Sequence, residues 1–232
     1  MDHGWTAGAV EALLFDLDGV LVDSRAAIDG SMRAWAALHG LDGDAVLALA
    51  HGRRDAELVR EVAPALDVAA EVARITALEL GFMDGVTAMP GAAALLAALP
   101  PDRWAVVTSS TPPIARGRLA AAGLPEPALL ITADDVDRGK PAPDGYLLAA
   151  EKLGAAPERC LVFEDAPIGL DAARSAGMRC VGIGLAGPGV LASAADLAAV
   201  RVTPPLTVHG PGCVAVDADG RGHADGPGRS LG

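Results

Sequence analysis

The sequence has few cysteines, few lysines and no excess of positive charge. Its three cysteines, Cys160, Cys180 and Cys213, are widely spaced and form no CxxC pair, so we expect neither a disulfide framework nor a zinc site. The formal net charge is −12 and the pI is about 4.7. No broad basic surface is therefore available for a phosphate backbone or for anionic lipid, and we expect no nucleic-acid or membrane partner.

Long hydrophobic runs are also missing. No stretch approaches the roughly 18 apolar residues of a membrane span, and the start, MDHGWTAGAV, lacks a positive stretch followed by an apolar one. We expect a cytoplasmic protein. With 232 residues, 51% of them hydrophobic, the chain can form one good core or a core with a small second domain. As its oligomeric state we expect a monomer or a weak dimer.

Short apolar segments alternate with Ala- and Leu-rich stretches of helical spacing. The apolar segments are ALLF (12–15), WAVVT (104–108), ALLIT (128–132), CLVFE (160–164) and CVGIG (180–184). The helical stretches between them include 112–122, 144–153 and 167–176. This alternation predicts an α/β fold, with a parallel sheet and helices on both of its faces.

The interval after the first apolar segment differs from the others, because it contains helical patterns and no convincing strand. These patterns cover 25–39, 44–50, 54–63 and 68–80. We predict an inserted all-helical cap domain at 23–83, with hinges near 22–24 and 83–90, and a core formed by 1–22 and 84–209. Two short alternating runs, 206–209 and 213–216, favour a terminal hairpin, so 210–232 is predicted to be a C-terminal hairpin or a disordered tail.

Polar side chains follow the predicted strands. In an open parallel sheet the active site lies beyond the carboxyl ends of the strands. The residues at these ends are Asp16 and Asp18 after the first strand, Thr108 and Ser109 after the second, Lys140 in the loop after the third, and Glu164 and Asp165 after the fourth. We therefore expect carboxylates, hydroxyls and an ammonium group to meet in one crevice.

Clustered carboxylates are costly unless a cation neutralises them, and oxygen ligands suit Mg²⁺. Beside such a cation, an ionised aspartate can attack phosphorus while a neighbouring carboxyl group transfers the proton, and Asp16 and Asp18 fit these two roles. Thr108, the Ser109 backbone N–H and Lys140 would supply donors to the phosphoryl oxygens. The chain has 16 arginines and only two lysines, which indicates that Lys140 is needed as a compact charge, although Lys152 weakens this inference.

The segments FDLDGVLVDS, VVTSS, GKPAPDGY and VFEDAPIGLDAA resemble, in this order, the four motifs of the haloacid dehalogenase-like hydrolase superfamily, in the subgroup with a helical cap between motifs one and two. HGRRDAEL, PGAAALL and EDAPIG are most similar to sugar-phosphate and polyol-phosphate phosphatases. The resemblance implies a Rossmann-like core and an aspartyl-phosphate on Asp16, with Asp18 as general acid/base. It also implies Mg²⁺ held by Asp16, the Asp18 carbonyl and Asp165, with Glu164 joining directly or through water.

The resemblance further implies that Thr108 and Lys140 bind the phosphoryl group and that Lys140 restrains the Asp16 carboxylate. Cap residues near His51, Gly52, Arg53 and Arg54 would meet the rest of a small phosphate ester. Several readings stay open at this point. Arg53 could instead form surface ion pairs, and Glu164 and Asp165 could be a solvated acidic pair at a helix start.

Three other functions compete with a phosphatase. A haloacid dehalogenase needs no general acid, so Asp18 argues against it. A β-phosphoglucomutase-like sugar phosphomutase is closer, but its relatives use a cap histidine soon after motif one, and residues 19–38 contain none. A non-catalytic phosphate-binding protein is disfavoured because every chemical position holds a competent residue.

Overall fold

A computed structural model describes residues 5–203 and 206–210. Its strands are β1 (Trp5–Ala9), β2 (Ala12–Phe15), β3 (Val22–Asp23), β4 (Thr87–Ala88), β5 (Trp104–Val107), β6 (Leu130–Ile131), β7 (Cys160–Glu164), β8 (Arg179–Ile183), β9 (Ala192–Ala194), β10 (Arg201–Thr203) and β11 (Thr207–Gly210). Its α-helices are α1 (Arg25–Leu38), α2 (Gly43–Ala50), α3 (Asp55–Val62), α4 (Val68–Leu80), α5 (Ala92–Ala97), α6 (Pro112–Ala121), α7 (Asp144–Leu153) and α8 (Pro167–Ser175).

The central sheet has six strands in the order β6-β5-β2-β7-β8-β9. Every neighbouring pair is parallel, which confirms the predicted α/β, Rossmann-like class. β2 lies between β5 and β7, so the residues after β2 have polar neighbours on both sides. β6 is shorter than the predicted 128–132, because Pro125 and Pro127 precede this edge strand and proline supplies no N–H for pairing.

Side chains of the central strands alternate between two buried layers. Leu13, Phe15 and the strand residues in register with them pack with α5 and α6 in one hydrophobic cluster. Ala12, Leu14 and their neighbours pack with α7 and α8 in a second cluster. Because successive residues of a strand face opposite sides, this division places helices on both faces of the sheet, as the sequence predicted.

The segment between β3 and β4 forms four helices with a hydrophobic cluster of their own. This cluster contains Met32, Trp35, Val46, Leu58 and Ile75, together with Ala36 and Val59. The chain enters and leaves the helical segment through β3 and β4, which pair antiparallel with Val22 opposite Ala88. Both crossings therefore lie side by side at the predicted hinges. The domain boundaries themselves stay a prediction.

A second, three-stranded sheet has the order β1-β11-β10, and sequence reasoning did not find it. β11 runs antiparallel to both neighbours, so the alternating run 206–209 pairs with β1 and β10. The other half of the predicted hairpin, 213–216, and the predicted tail lie outside the described residues. No helix in the described part of the chain is long and apolar enough to cross a membrane.

Candidate active site

Lys140 lies at the centre of the polar groups that follow the strands. Its Nζ atom donates to Asp16 Oδ1 and to Glu164 Oε1, and its side chain is 8% exposed. Burial lowers the pKa of Lys140, but the charges of Asp16 and Glu164 outweigh that effect and hold the pKa above its usual range. The ammonium group is thus a fixed positive charge, buried between two carboxylates from neighbouring strands.

Glu164 is the last residue of β7 and is almost fully buried. Its Oε1 atom also accepts from the Tyr146 hydroxyl at 2.8 Å, and its Oε2 atom accepts from the backbone N–H groups of Asp165 and Ala166. The missing side chain of Gly169 makes room for it, because a Cβ there would lie 1.8 Å from Glu164 Oε1. The reading of Glu164 as a solvated group is therefore wrong, since protein donors occupy both of its oxygens.

A second group of carboxylates forms where β2 and β7 end. One oxygen from each of Asp16, Glu164 and Asp165 lies within 4.8 Å of the others. Burial raises the pKa of Asp16 well above its usual value, Lys140 opposes this rise, and the nearby carboxylates Glu164, Asp165 and Asp18 add to it. One ammonium group does not balance this cluster, and hard oxygen ligands of this kind suit a divalent cation such as Mg²⁺.

The loop after β2 brings Asp165 close to the helical segment. Gly19 has a φ of +75°, and a Cβ at this position would lie 2.0 Å from Asp165 Oδ2. Glycine is therefore required twice, for its backbone conformation and for the space that Asp165 occupies. His51, at the end of α2, places its Nε2 atom 3.5 Å from Asp165 Oδ2, and the hydrogen bond to Asp165 raises the pKa of His51.

Asp18 is held by three side chains. Its Oδ1 atom accepts from the Ser24 hydroxyl at 2.5 Å, and its Oδ2 atom accepts from Arg118 Nη1 at 2.6 Å and from the Ser110 hydroxyl at 3.4 Å. Arg118 lies on α6 with only 2% of its side chain exposed. It also donates through Nη2 to Glu79 on α4 at 2.9 Å. One guanidinium group therefore links Asp18 to the helical segment.

Two of the cavities next to these groups have both Asp18 and Asp165 in their walls. A small one of about 50 Å³ is lined by Asp16, Asp18 and Thr108 on the sheet side and by Asp55 and Glu79 on the helical side. A larger one of about 650 Å³ shares Asp18, His51 and Asp165 with it and extends along β3 and α1. The carboxylates at the strand ends thus lie between a small cavity and a larger cleft.

Comparison with known proteins supports the family assignment. The family model of haloacid dehalogenase-like hydrolases matches residues 10–177. Hexitol phosphatase A of Escherichia coli is 44% identical over 181 residues, which are 75% of this chain and 82% of that protein. 2-Deoxyglucose-6-phosphate phosphatase 2 of Saccharomyces cerevisiae is 32% identical over 198 residues, covering 75% and 80%. The chain belongs to the haloacid dehalogenase-like hydrolase family. It is an enzyme of the phosphoric monoester hydrolase class.

A solved structure agrees with this fold. The β-phosphoglucomutase of Clostridium difficile superimposes with a TM-score of 0.70 over 82% of this chain and 92% of that chain. Its sequence identity is 21%, so the likeness concerns the fold alone. It carries no argument that this haloacid dehalogenase-like hydrolase is a mutase.

The structure brings most of the predicted site residues of this hydrolase together. Thr108 is buried and accepts from the Ser110 backbone N–H at 3.1 Å. Ser109 donates its hydroxyl to the Gly52 carbonyl at 2.8 Å, while its backbone N–H meets no acceptor among the described residues. The predicted donors therefore lie at the end of β5, and the Ser109 side chain contacts the helical segment.

The two arginines after Gly52 behave differently. Arg53 pairs with Glu61, as one of the two readings expected, and it also lines the small cavity. Its contact with substrate stays a prediction. Arg54 donates to the backbone carbonyl groups of Val136 and Asp137, at 3.0 and 2.9 Å. It therefore joins the start of α3 to the loop after β6 and does not line the small cavity.

Sequence reasoning missed Arg118, Glu79 and Tyr146. Tyr146 is the last residue of the segment GKPAPDGY, which also contains Lys140. This closeness in sequence is the signal that could have identified it. Arg118 is one of 16 arginines, and only the packing of α6 against α4 distinguishes it from a solvated residue. Glu79 lies in the pattern RITALEL, where a charged residue usually reads as the exposed face of a helix.

Glu79 gives the unfolding free energy a particular pH dependence. Burial raises its pKa from the usual 4.5 to about 8, against the lowering effect of Arg118. The folded protein therefore keeps this proton where the unfolded chain loses it. The stabilising contribution is complete below about pH 4.5 and is lost as the pH rises towards 8. We expect wild type to lose stability relative to Glu79→Gln between pH 5 and 8, as measured by urea unfolding.

Glu71 on the same helix provides the control. It is buried and accepts from Trp35 Nε1 at 2.8 Å, and this hydrogen bond is the main cause that lowers its pKa. The stabilising contribution of Glu71 is therefore complete above about pH 4.5 and is lost as the pH falls below that value. Wild type should lose stability relative to Glu71→Gln only on acidification, in contrast to its loss relative to Glu79→Gln as the pH rises. Parallel stability curves for wild type and Glu79→Gln would contradict the assignment.

Proposed function

We propose that this hydrolase is a Mg²⁺-dependent phosphatase that acts on small phosphate monoesters of sugars or polyols through an aspartyl-phosphate on Asp16. The observation that carries the proposal is the contact of Lys140 with both Asp16 and Glu164, next to Asp165, Thr108 and Asp18. A nucleophile, a fixed positive charge and a set of oxygen ligands are thereby gathered in one buried place.

The proposed reaction has two steps. A carboxylate oxygen of Asp16 attacks phosphorus, the bond from phosphorus to the ester oxygen breaks, and the leaving oxygen takes a proton from Asp18. A water molecule then gives a proton back to Asp18 and attacks the phosphorus of the aspartyl-phosphate, which releases inorganic phosphate and restores Asp16. Ser24 and Arg118 hold Asp18 in place for these transfers.

Three donors would bind the phosphoryl oxygens during both steps. They are Lys140 Nζ, the Thr108 hydroxyl and the Ser109 backbone N–H, which all follow strands of the same sheet. Fixed donors of this kind stabilise charge without having to reorient during the reaction. Lys140 also keeps the Asp16 carboxylate in one orientation, and Glu164 and Tyr146 in turn position Lys140.

Asp16, Asp165 and the Asp18 carbonyl group would hold the metal ion. Glu164 would join them through water, because protein donors already occupy both of its oxygens. When bound, Mg²⁺ would neutralise the carboxylate cluster and the negative charge of the phosphoryl group. We place the enzyme in the cytoplasm, a reducing compartment, in agreement with the buried free thiols of Cys160 and Cys180.

The helical segment 23–83 would act as a cap that opens and closes. The small cavity of about 50 Å³ is far smaller than the roughly 300 Å³ at which ligand pockets begin. A complete sugar phosphate therefore does not fit the small cavity alone, and it would need the adjoining cleft of about 650 Å³ or movement about the β3 and β4 crossings. Arg53, which lines this cavity, would meet the substrate after closure. The similarity to hexitol phosphatase A supports a sugar or polyol as the leaving group.

The proposal is tested by phosphate release from a panel of sugar, polyol and small-acid monophosphates, with Mg²⁺ or with a chelator. We expect Mg²⁺-dependent release, fastest with sugar or polyol phosphates. Release that continues in chelator would contradict the metal requirement. Conversion of a hexose 1-phosphate into its 6-phosphate isomer, without inorganic phosphate, would show a mutase instead.

A further inference from the structure

The small cavity is lined by two carboxyl groups that the proposed reaction does not use, those of Asp55 and Glu79. Asp55, at the start of α3, and Glu79, on α4, line it together with Arg118 and with the Asp16 and Thr108 side chains. A leaving group that enters this cavity from a phosphoryl group on Asp16 would share it with Asp55, Glu79 and Arg118. These three residues are called the distal cluster below.

Two members of the distal cluster have unused hydrogen-bonding capacity. The Nε atom of Arg118 is buried and has no partner among the described residues, although 98% of this side chain is removed from solvent. The Asp55 carboxylate is partly buried and forms no hydrogen bond or ion pair within 5–203 and 206–210. Buried polar groups without partners are costly, so a ligand that satisfies them gains binding energy.

The charges of the cavity wall restrict what that ligand can be. Three carboxyl groups, those of Asp18, Asp55 and Glu79, surround a single guanidinium group. A leaving group with its own carboxylate or second phosphate would add negative charge to this wall. Hydroxyl groups, in contrast, both donate to a carboxylate and accept from a guanidinium.

The remaining wall fits a carbon chain that carries hydroxyl groups. Ile28 and Met32 on α1 line the same cavity and provide an apolar surface for C–H groups. Burial raises the pKa of Asp55 to about 6, below neutrality, and that of Glu79 to about 8. At neutral pH the Asp55 carboxyl group is thus mainly ionised and acts as an acceptor, while the Glu79 carboxyl group still carries a proton that it can donate.

We propose that Asp55, Glu79 and Arg118 select an uncharged, polyhydroxylated leaving group by hydrogen-bonding its hydroxyls, and that the Asp55 carboxylate, unpaired among the described residues, repels carboxylated or doubly phosphorylated esters. The inference rests on the proposed function, because it concerns the leaving group of the same reaction. A site that is built to hydrogen-bond a hydroxyl group discriminates strongly against a substrate without one.

The test compares kcat/KM for three substrates: glucitol 6-phosphate, which has five free hydroxyls, phenyl phosphate, which has none, and 2-phosphoglycolate, which has a carboxylate. In Asp55→Ala we expect the ratio of glucitol 6-phosphate to phenyl phosphate to fall by about 10- to 100-fold, the range for lost hydrogen bonds to charged groups. In Asp55→Asn, which removes only the charge, the ratio of 2-phosphoglycolate to phenyl phosphate should rise several-fold. Glu79→Gln, which replaces a mainly protonated carboxyl group by a neutral amide, should lower the first ratio and leave the second unchanged.

Asp44 supplies the matched control. It is an acidic residue in the first turn of α2, as Asp55 is in α3, but it is exposed and pairs with Arg33, and it does not line the cavity. Asp44→Ala should keep both ratios within about twofold of wild type, as expected for exposed ion pairs. If Asp55→Ala and Glu79→Gln also keep both ratios, or lower all three activities equally, the inference is overturned. A wild-type enzyme that hydrolyses none of the esters would instead overturn the proposed function itself.

Discussion

Asp16→Asn is expected to lower the rate of phosphate release by about 10⁴-fold or more, the scale on which loss of a nucleophile acts. An amide oxygen does not form the covalent intermediate, whereas the side chain keeps its volume and can still accept from Lys140. The loss should therefore appear in kcat and not in KM alone. The measurement is steady-state phosphate release with Mg²⁺, combined with acid quenching of wild type to trap the phosphorylated enzyme.

Asp102→Asn is the control for this substitution. Asp102 is 76% exposed and lies just before β5, at the end of the strand opposite to Thr108. Its replacement should leave the rate unchanged, and circular dichroism should show both variants folded. A wild-type rate in Asp16→Asn, or a phosphoryl group trapped on another residue of the wild-type enzyme, would refute the assignment of the nucleophile.

Lys140→Met is expected to reduce both activity and stability. The substitution leaves Asp16 and Glu164 facing each other in a buried place without a cation, and breaking a buried pair in this way costs about 3–5 kcal/mol of unfolding free energy. Loss of one donor to the phosphoryl oxygens should lower kcat by about 10²- to 10³-fold. Urea unfolding and phosphate release measure the two effects on the same preparation.

Lys152, the only other lysine of the chain, is exposed on α7 and gives the matched variant Lys152→Met, for which we expect neither effect. Addition of Mg²⁺ should return part of the stability of Lys140→Met, because the bound ion would neutralise carboxylates that Lys140 neutralises in wild type. Equal stability of Lys140→Met and Lys152→Met would show that the buried ion pair does not contribute as described.

The sequence predicted the sheet side of the site well, because strand ends are a strong constraint. Asp16, Thr108 and Glu164 each stand at the carboxyl end of an apolar run, and parallel pairing of those runs must bring them to the same edge. Even the order of the strands was not needed for this conclusion. The fold class followed from the same alternation of apolar segments and helical stretches.

The helical side of the site was less accessible to prediction. The contact between Arg118 and Glu79 depends on how α6 packs against α4, which are 39 residues apart in sequence at this pair, and no local pattern specifies that packing. β1 and β9 were missed for a different reason. Ala and Gly fill three of the five positions of WTAGA, and Ala fills two of the three of ASA. These residues have little β propensity, so the pairing of both strands depends on tertiary context.

Arg54 also bears on the kinetics of this enzyme. Its guanidinium group holds the helical segment to the loop after β6 through backbone carbonyl groups, which carry no net charge and do not titrate. If the segment moves as a cap, every turnover must break these hydrogen bonds to admit substrate and again to release phosphate. The observed affinity for substrate is then the intrinsic affinity multiplied by the fraction of molecules that are open. Salt and pH would change that fraction little through Arg54, so any dependence of the resting population on pH would come from the charged contacts of His51 with Asp165 and of Glu79 with Arg118.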